Sequence, residues 1–208
     1  MIWDVLRAFP PESLLAFTAG GVVLNLAPGP DVLFATASGL QGGPRAGMMA
    51  GLGVGFGGLW HVTLAVLGLS ALIAAHPGAL DAIRWAGAGY LLWLAWKSWH
   101  AGPGGEPGRG TANPWRAVRK GFVTNILNPK PILFVLAFLP QFTNPAYGPV
   151  WQQVVLLGAI FTFTGTLVTM GYGALAGVAG RSLSRRMGAM NRVAALLFGG
   201  LALRLVAD

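Results

Sequence analysis

Asn25-Leu26-Ala27-Pro28-Gly29-Pro30-Asp31 decides how this chain is read. It sets two helix-breaking prolines and a carboxylate inside a stretch, residues 13–43, that is otherwise uncharged. In apolar surroundings, broken backbone and an ionisable group are tolerated only where they are buried in protein or line a cavity, so the stretch marks a candidate site. One hundred residues on, Asn125-Ile126-Leu127-Asn128-Pro129-Lys130-Pro131 repeats the Asn and the Pro-x-Pro, with a cation where the first copy has an anion. The chain therefore reads as two related halves, each built on a broken helix.

Composition sets the solvent. Only 10% of the 208 residues are charged and 54% are hydrophobic, whereas about 25% of a soluble domain is charged. This predicts an all-α integral membrane protein. The 32 glycines lie among Leu, Val, Ala and Trp, where small residues let helices approach closely. With no cysteine, disulfides and thiolate metal sites are excluded. Most of the +8 net charge lies in two short loops between apolar stretches, which fits positive-inside topology rather than nucleic-acid binding. Met1 to Glu12 carries Asp4, Arg7 and Glu12 in place of a basic leader, so no cleaved signal peptide is expected.

A spanning helix needs about 20 apolar residues. Six candidates follow: about Ser13 to Leu40, broken at Pro28 and Pro30; Gly47 to Ala75; Asp81 to Trp99, with Trp85, Tyr90, Trp93, Trp96 and Trp99 as interface anchors; Gly121 to Pro140, broken at Pro129 and Pro131; Val150 to Ala176; and Gly188 to Val206. A Gly/Pro loop, Ala101 to Gly110, divides a first three-helix repeat (1–100) and a basic loop (101–120) from a second repeat (121–208). Loops after the first, third and fifth spans hold ten Lys and Arg residues; Arg7, Arg84 and Arg204 lie on the other side. Ten against three predicts cytoplasmic loops there and both termini outside. Three spans per half is an odd number, so the halves are expected to be inverted repeats, an architecture of secondary transporters. Asp31 lies ten residues before Gln41 and Lys130 ten after Lys120, which puts both about 15 Å from the cytoplasmic end of their spans. At that common depth the two breaks can face each other.

Pro30 and Pro131 each suit the first position of a new half-helix, whose free N–H groups favour an anion. The preceding half-helix ends in free carbonyls, which favour a cation. A zwitterionic amino acid matches both. The plainer alternatives are a carboxylate that caps its own half-helix, for Asp31, and an ion pair with Asp31 that holds the halves together, for Lys130. Gly47, Gly51 and Gly55, with Gly53 and Gly57 as a second row, have the spacing of close helix packing. The run Gly53-Val54-Gly55-Phe56-Gly57-Gly58 matches a dinucleotide fingerprint, but no strand precedes it, so no cofactor is inferred. His61 can relay protons or be a hydrogen-bonded interior histidine. The Tyr172 hydroxyl either faces the cavity or is satisfied by a backbone carbonyl.

Pro28-Gly29-Pro30-Asp31, the Gly47/Gly51 spacing, residues 84–94 (RWAGAGYLLWL), Asn125 with Asn128-Pro129-Lys130, Pro140-Gln141-Phe142 and Gly171-Tyr172 occur in this order along nearly the whole chain. In these motifs it resembles the lysine/homoserine/threonine exporter family, LysE/RhtB. The resemblance implies a bacterial inner-membrane exporter of amino acids or close derivatives, driven by the proton gradient. An intramembrane enzyme is not expected, since no second aspartate lies deep enough in a span to form a dyad with Asp31 and there is no thiol. Pro131 departs from the pattern, since a small polar residue such as Ser is familiar there. Substrate contacts are expected from Asn25, Pro28, Gly29, Pro30, Asp31, Asn125, Asn128, Pro129, Lys130 and Tyr172, and proton coupling from Asp31 and His61. No metal or cofactor is expected. The expected partners are the amino acid, protons and the bilayer, with homo-oligomers left open. A passive channel or lipid-handling protein on the same scaffold is the rival reading, and the opposite charges at the two breaks discriminate against it.

Overall fold

The computed structural model describes residues 2–75, 79–100, 110–180 and 182–207. Most of the loop expected at the centre of the chain, including Arg109, lies outside them, as do Arg181 and the side chains of Arg84, Arg185, Arg186 and Arg204. The described residues are all-helical. Eight α-helices follow in order: α1 (Ile2–Ala8), α2 (Pro11–Leu26), α3 (Pro30–Ala75), α4 (Ala79–His100), α5 (Pro114–Ile126), α6 (Pro129–Phe138), α7 (Val150–Ala179) and α8 (Ser182–Ala207). Two short 3-10 turns, Leu139–Phe142 and Pro145–Tyr147, separate α6 from α7.

By length and composition α3 and α7 can each cross a bilayer, and α5 with α6 qualifies as one span bent by 50°. Large apolar side chains such as Leu67, Trp96, Leu167, Val178 and Leu203 stand exposed on the outside, the surface expected of a protein solvated by lipid.

Both predicted breaks are present. The first falls at residues 27–29, between α2 and α3, with Pro30 opening the new helix. The second needs a correction. Pro129, not Pro131, is the first residue of the new helix, because Asn128 caps it: its Oδ1 accepts from the Lys130 N–H at 3.1 Å. Asn followed by Pro is the combination a helix start favours. The same chemistry starts α5 earlier than expected, at Pro114 rather than near Gly121, with Asn113 Oδ1 accepting from the Arg116 N–H at 2.9 Å.

The turn expected between the first and second spans is also shorter than read. Gly43, at φ 74° and ψ −176°, is the non-helical residue inside α3, and Pro44 follows it directly. A glycine can take that positive φ without steric cost, so the chain bends there within one residue.

The long helices pack in pairs. α3 lies along α7, and α4 along α8; α2 packs on α7, while α5 packs on α3. The glycine rows explain how close these approaches are. Gly47 faces Gly173 so tightly that a Cβ on either would run into the other's backbone, and a Cβ on Gly53 would meet the Val118 carbonyl. One row serves α7 and the other α5, as the spacing predicts. An apolar core that includes Phe17, Leu24, Leu91, Phe134, Leu157 and Phe198 packs α2, α4, α6, α7 and α8 together.

Candidate functional site

The two breaks meet. Asp31, in the first turn of α3, presents Oδ2 to two carboxamides of the second break: Asn125 Nδ2 and Asn128 Nδ2 each donate to it at 2.9 Å. Its other oxygen, Oδ1, is buried and has no hydrogen-bond partner within the protein. A buried acceptor left unmatched carries a free-energy penalty of about 1–3 kcal/mol, more when charged. The site is therefore built to receive one more donor, a proton or an N–H.

Lys130 sits beside this carboxylate without taking that role. Its ammonium donates to the Ala27 carbonyl at 2.7 Å, one of the carbonyls released where α2 ends. The chain's own cation thus occupies the place where a half-helix C-terminus favours one. The Phe198 ring lies 5.7 Å from the same Nζ. An ammonium has three N–H donors, so Lys130 can hold the Ala27 carbonyl and still bind a carboxylate.

Among the described residues, two cavities are lined by residues of both breaks. The smaller, about 50 Å³, is walled by Asp31, Asn125, Asn128 and Lys130 with residues of α7 that include Thr162 and Thr169. That volume admits a few water molecules, each needing about 10–15 Å³. The larger, about 310 Å³, lies on the other side of Lys130, between the breaks, α4 and α8; Pro28, Gly29, Pro30 and Pro129 line it.

The remaining expected residues are placed as follows. Asn25 Nδ2 donates to the Phe161 carbonyl and to Thr164 Oγ1, both at 3.2 Å, and lines the smaller cavity. His61 is 3% exposed, and its Nε2 lies 3.0 Å from the Asn125 carbonyl oxygen. It touches the Asp31 cluster through backbone. The Tyr172 hydroxyl donates to the Leu26 carbonyl at 2.8 Å, the backbone-satisfied alternative, and so fastens the end of α2 to α7.

Other residues of the cavity walls were not foreseen. Thr162, Thr166 and Thr169 line the small cavity from one face of α7; their i, i+4, i+7 spacing was a readable signal. Tyr90, Asn191 and Phe198 line the larger cavity. Asn191 stands next to Arg192, in the more polar first half of α8, and carried no signal comparable to that of Asp31.

The LysE type translocator family matches residues 22–208. An uncharacterized membrane protein of Vibrio cholerae is 33% identical over 89% of this chain and 92% of its own length. A homoserine/homoserine lactone efflux protein of Salmonella typhi is 30% identical over 79% of this chain and 81% of its own. A leucine efflux protein of Klebsiella pneumoniae is 35% identical over 62% of this chain and 63% of its own. No solved structure matches the chain significantly.

Proposed function

We propose that this chain, which belongs to the LysE type translocator family, is a secondary active exporter of amino acids or close derivatives, working as a proton antiporter in the bacterial inner membrane. Relatives named as efflux proteins for homoserine, its lactone and leucine support the substrate class. The observation that carries the mechanism is the half-satisfied carboxylate of Asp31. One oxygen is fixed by Asn125 and Asn128 of the opposite break; the other is buried without a partner.

On this reading six spans form two inverted repeats, 1–100 and 121–208, joined by the basic segment 101–120. The like-for-like packing of α3 with α7 and of α4 with α8 supports it, as does the meeting of the two breaks. Asp31 takes either a proton or the substrate ammonium, and the competition between them couples the two fluxes. Lys130 and the half-helix starts at Pro30 and Pro129 take the substrate carboxylate. The small cavity is a closed stage of the cycle, and alternating access widens it from each side in turn.

Reconstituted vesicles loaded with a labelled amino acid test the proposal. A pH gradient, acid on the periplasmic side, should accelerate efflux through the native protein. Asp31→Asn should lose that acceleration, and Lys130→Ala should mainly weaken substrate binding. Gradient-stimulated efflux that persists unchanged in Asp31→Asn rules out Asp31 as the proton carrier.

A further inference from the structure

The larger cavity differs from the smaller in both its walls and its charge. Its volume of about 310 Å³ reaches the lower end of the 300–1,000 Å³ typical of ligand pockets. Leu33, Trp93, Leu94 and Phe198 give it apolar walls. Among the described residues, its charged lining is Lys97 and Lys130, with no carboxylate. Lys97 lies over the Trp93 ring, 4.8 Å from its centroid, towards the last turn of α4.

Gly29, Asn128 and Lys130 line both cavities. They form the partition between the apolar pocket and the polar chamber at Asp31. The Lys130–Ala27 hydrogen bond lies in that partition, so breaking it is the way through.

We propose that this pocket selects the substrate's side chain and admits neutral amino acids with apolar side chains. The inference rests on the exporter reading above and adds the substrate class to it. The substrate's α-ammonium enters past the Lys130–Ala27 hydrogen bond and goes to Asp31 Oδ1, the acceptor the exporter reading gives it. Lys130, released, turns to the α-carboxylate. The side chain stays among Leu33, Trp93, Leu94 and Phe198, where burial of apolar surface holds it. A basic side chain would meet two lysines and no counter-charge, and an acidic one would lose its water against apolar walls. Asn191, only 5% exposed and part of the same lining, supplies an amide beside the partition.

Exchange of labelled amino acids across reconstituted vesicles tests this. The native protein should exchange leucine or methionine, with lysine and glutamate slower by about tenfold or more. Leu94→Asp places a carboxylate in the wall and should move the lysine-to-leucine ratio towards lysine by about tenfold. Where that variant does not reach the membrane, Ser98→Asp, on the same wall, serves. Preference of the native protein for lysine or glutamate overturns the pocket assignment while leaving the exporter reading intact. So does a ratio that stays constant while all rates fall together. Absence of exchange for every amino acid, with inserted protein present, overturns the exporter reading and the pocket with it.

Discussion

Gly57 lies directly against Asn125: a Cβ on Gly57 would stand 2.5 Å from Asn125 Oδ1 and 2.6 Å from Asn125 Cβ. The opposite half repeats the relationship, for a Cβ on Gly165 would stand 2.9 Å from Asn25 Oδ1. Each break thus has an asparagine one turn or less before it, seated in a glycine notch of a long helix from the other half. The two asparagines differ in what they hold. Asn125 grips Asp31, whereas Asn25 binds α7 itself. Two similar notches thus serve one charged centre.

Gly57→Ala should therefore act on the site rather than on the fold as a whole. Overpacking at such a contact costs about 1–3 kcal/mol, and the atoms that must yield belong to the side chain holding Asp31. Transport should fall severalfold while the amount of protein in the membrane falls little. Gly171→Ala is the control, because a Cβ there meets nothing within 4 Å. Equal transport by the two variants, measured per inserted molecule, would show that Asn125 need not be held in place.

Asn128 has two tasks, and substitution can separate them. Its Oδ1 caps α6 and its Nδ2 donates to Asp31. Asn128→Ala loses both, and loss of the cap alone costs about 1 kcal/mol. Asn128→Ser keeps a capping oxygen but has no amide to reach Asp31. Protein abundance should recover from Ala to Ser while transport stays low. Recovery of both together would reduce Asn128 to a helix cap.

Pro30→Ala and Pro129→Ala probe the breaks themselves. Either change favours a continuous helix across the gap, which would consume the N–H groups and carbonyls that the break exposes. Transport per inserted molecule should drop in both. Full activity in both variants would make the prolines simple bends.

The breaks and the glycine rows were legible in the sequence because their chemistry is local. Proline and glycine act through their own backbone, and a carboxylate in an apolar run needs a reason wherever it lies. The start at Pro129 was legible too: Asn-Pro signals cap and first turn together, and weighing Pro-x-Pro as a pair hid it. Lys130 was harder. Opposite charges at one depth offered either a substrate-carboxylate site or, as the plainer alternative, an ion pair with Asp31; the carbonyl end of α2 gave the ammonium a partner in Ala27 that neither reading named. The walls of the larger cavity were not legible, because the side of α4 that faces α8 is fixed by tertiary packing. Tyr90 accordingly read as an interface anchor rather than as part of a pocket.

Topology is open to a direct check. A reporter inserted within 104–110 should be cytoplasmic and one fused after Asp208 periplasmic, as the bias of Lys and Arg requires. Both reporters on one side would leave an odd number of crossings unaccounted for and end the inverted-repeat reading.

His61 is the rival of Asp31 for the coupled proton, and its geometry argues for a supporting part. The bond from Nε2 to the Asn125 carbonyl oxygen requires the hydrogen on Nε2. The other nitrogen, Nδ1, is buried without a hydrogen-bond partner among the described residues. What His61 does is fix the main chain of the residue whose side chain donates to Asp31. His61→Gln, which can still donate to that carbonyl, should keep gradient-stimulated efflux within about threefold of the native rate, a loss of less than about 1 kcal/mol. His61→Leu should lower the rate further, because the Asn125 carbonyl loses its side-chain donor and keeps only the Asn128 N–H at 3.0 Å, yet its residual efflux should still respond to the pH gradient. Asp31→Asn should show no such response. If instead the gradient response vanishes in both His61 variants and survives in Asp31→Asn, the proton travels on the imidazole and Asp31 is left with the substrate ammonium alone.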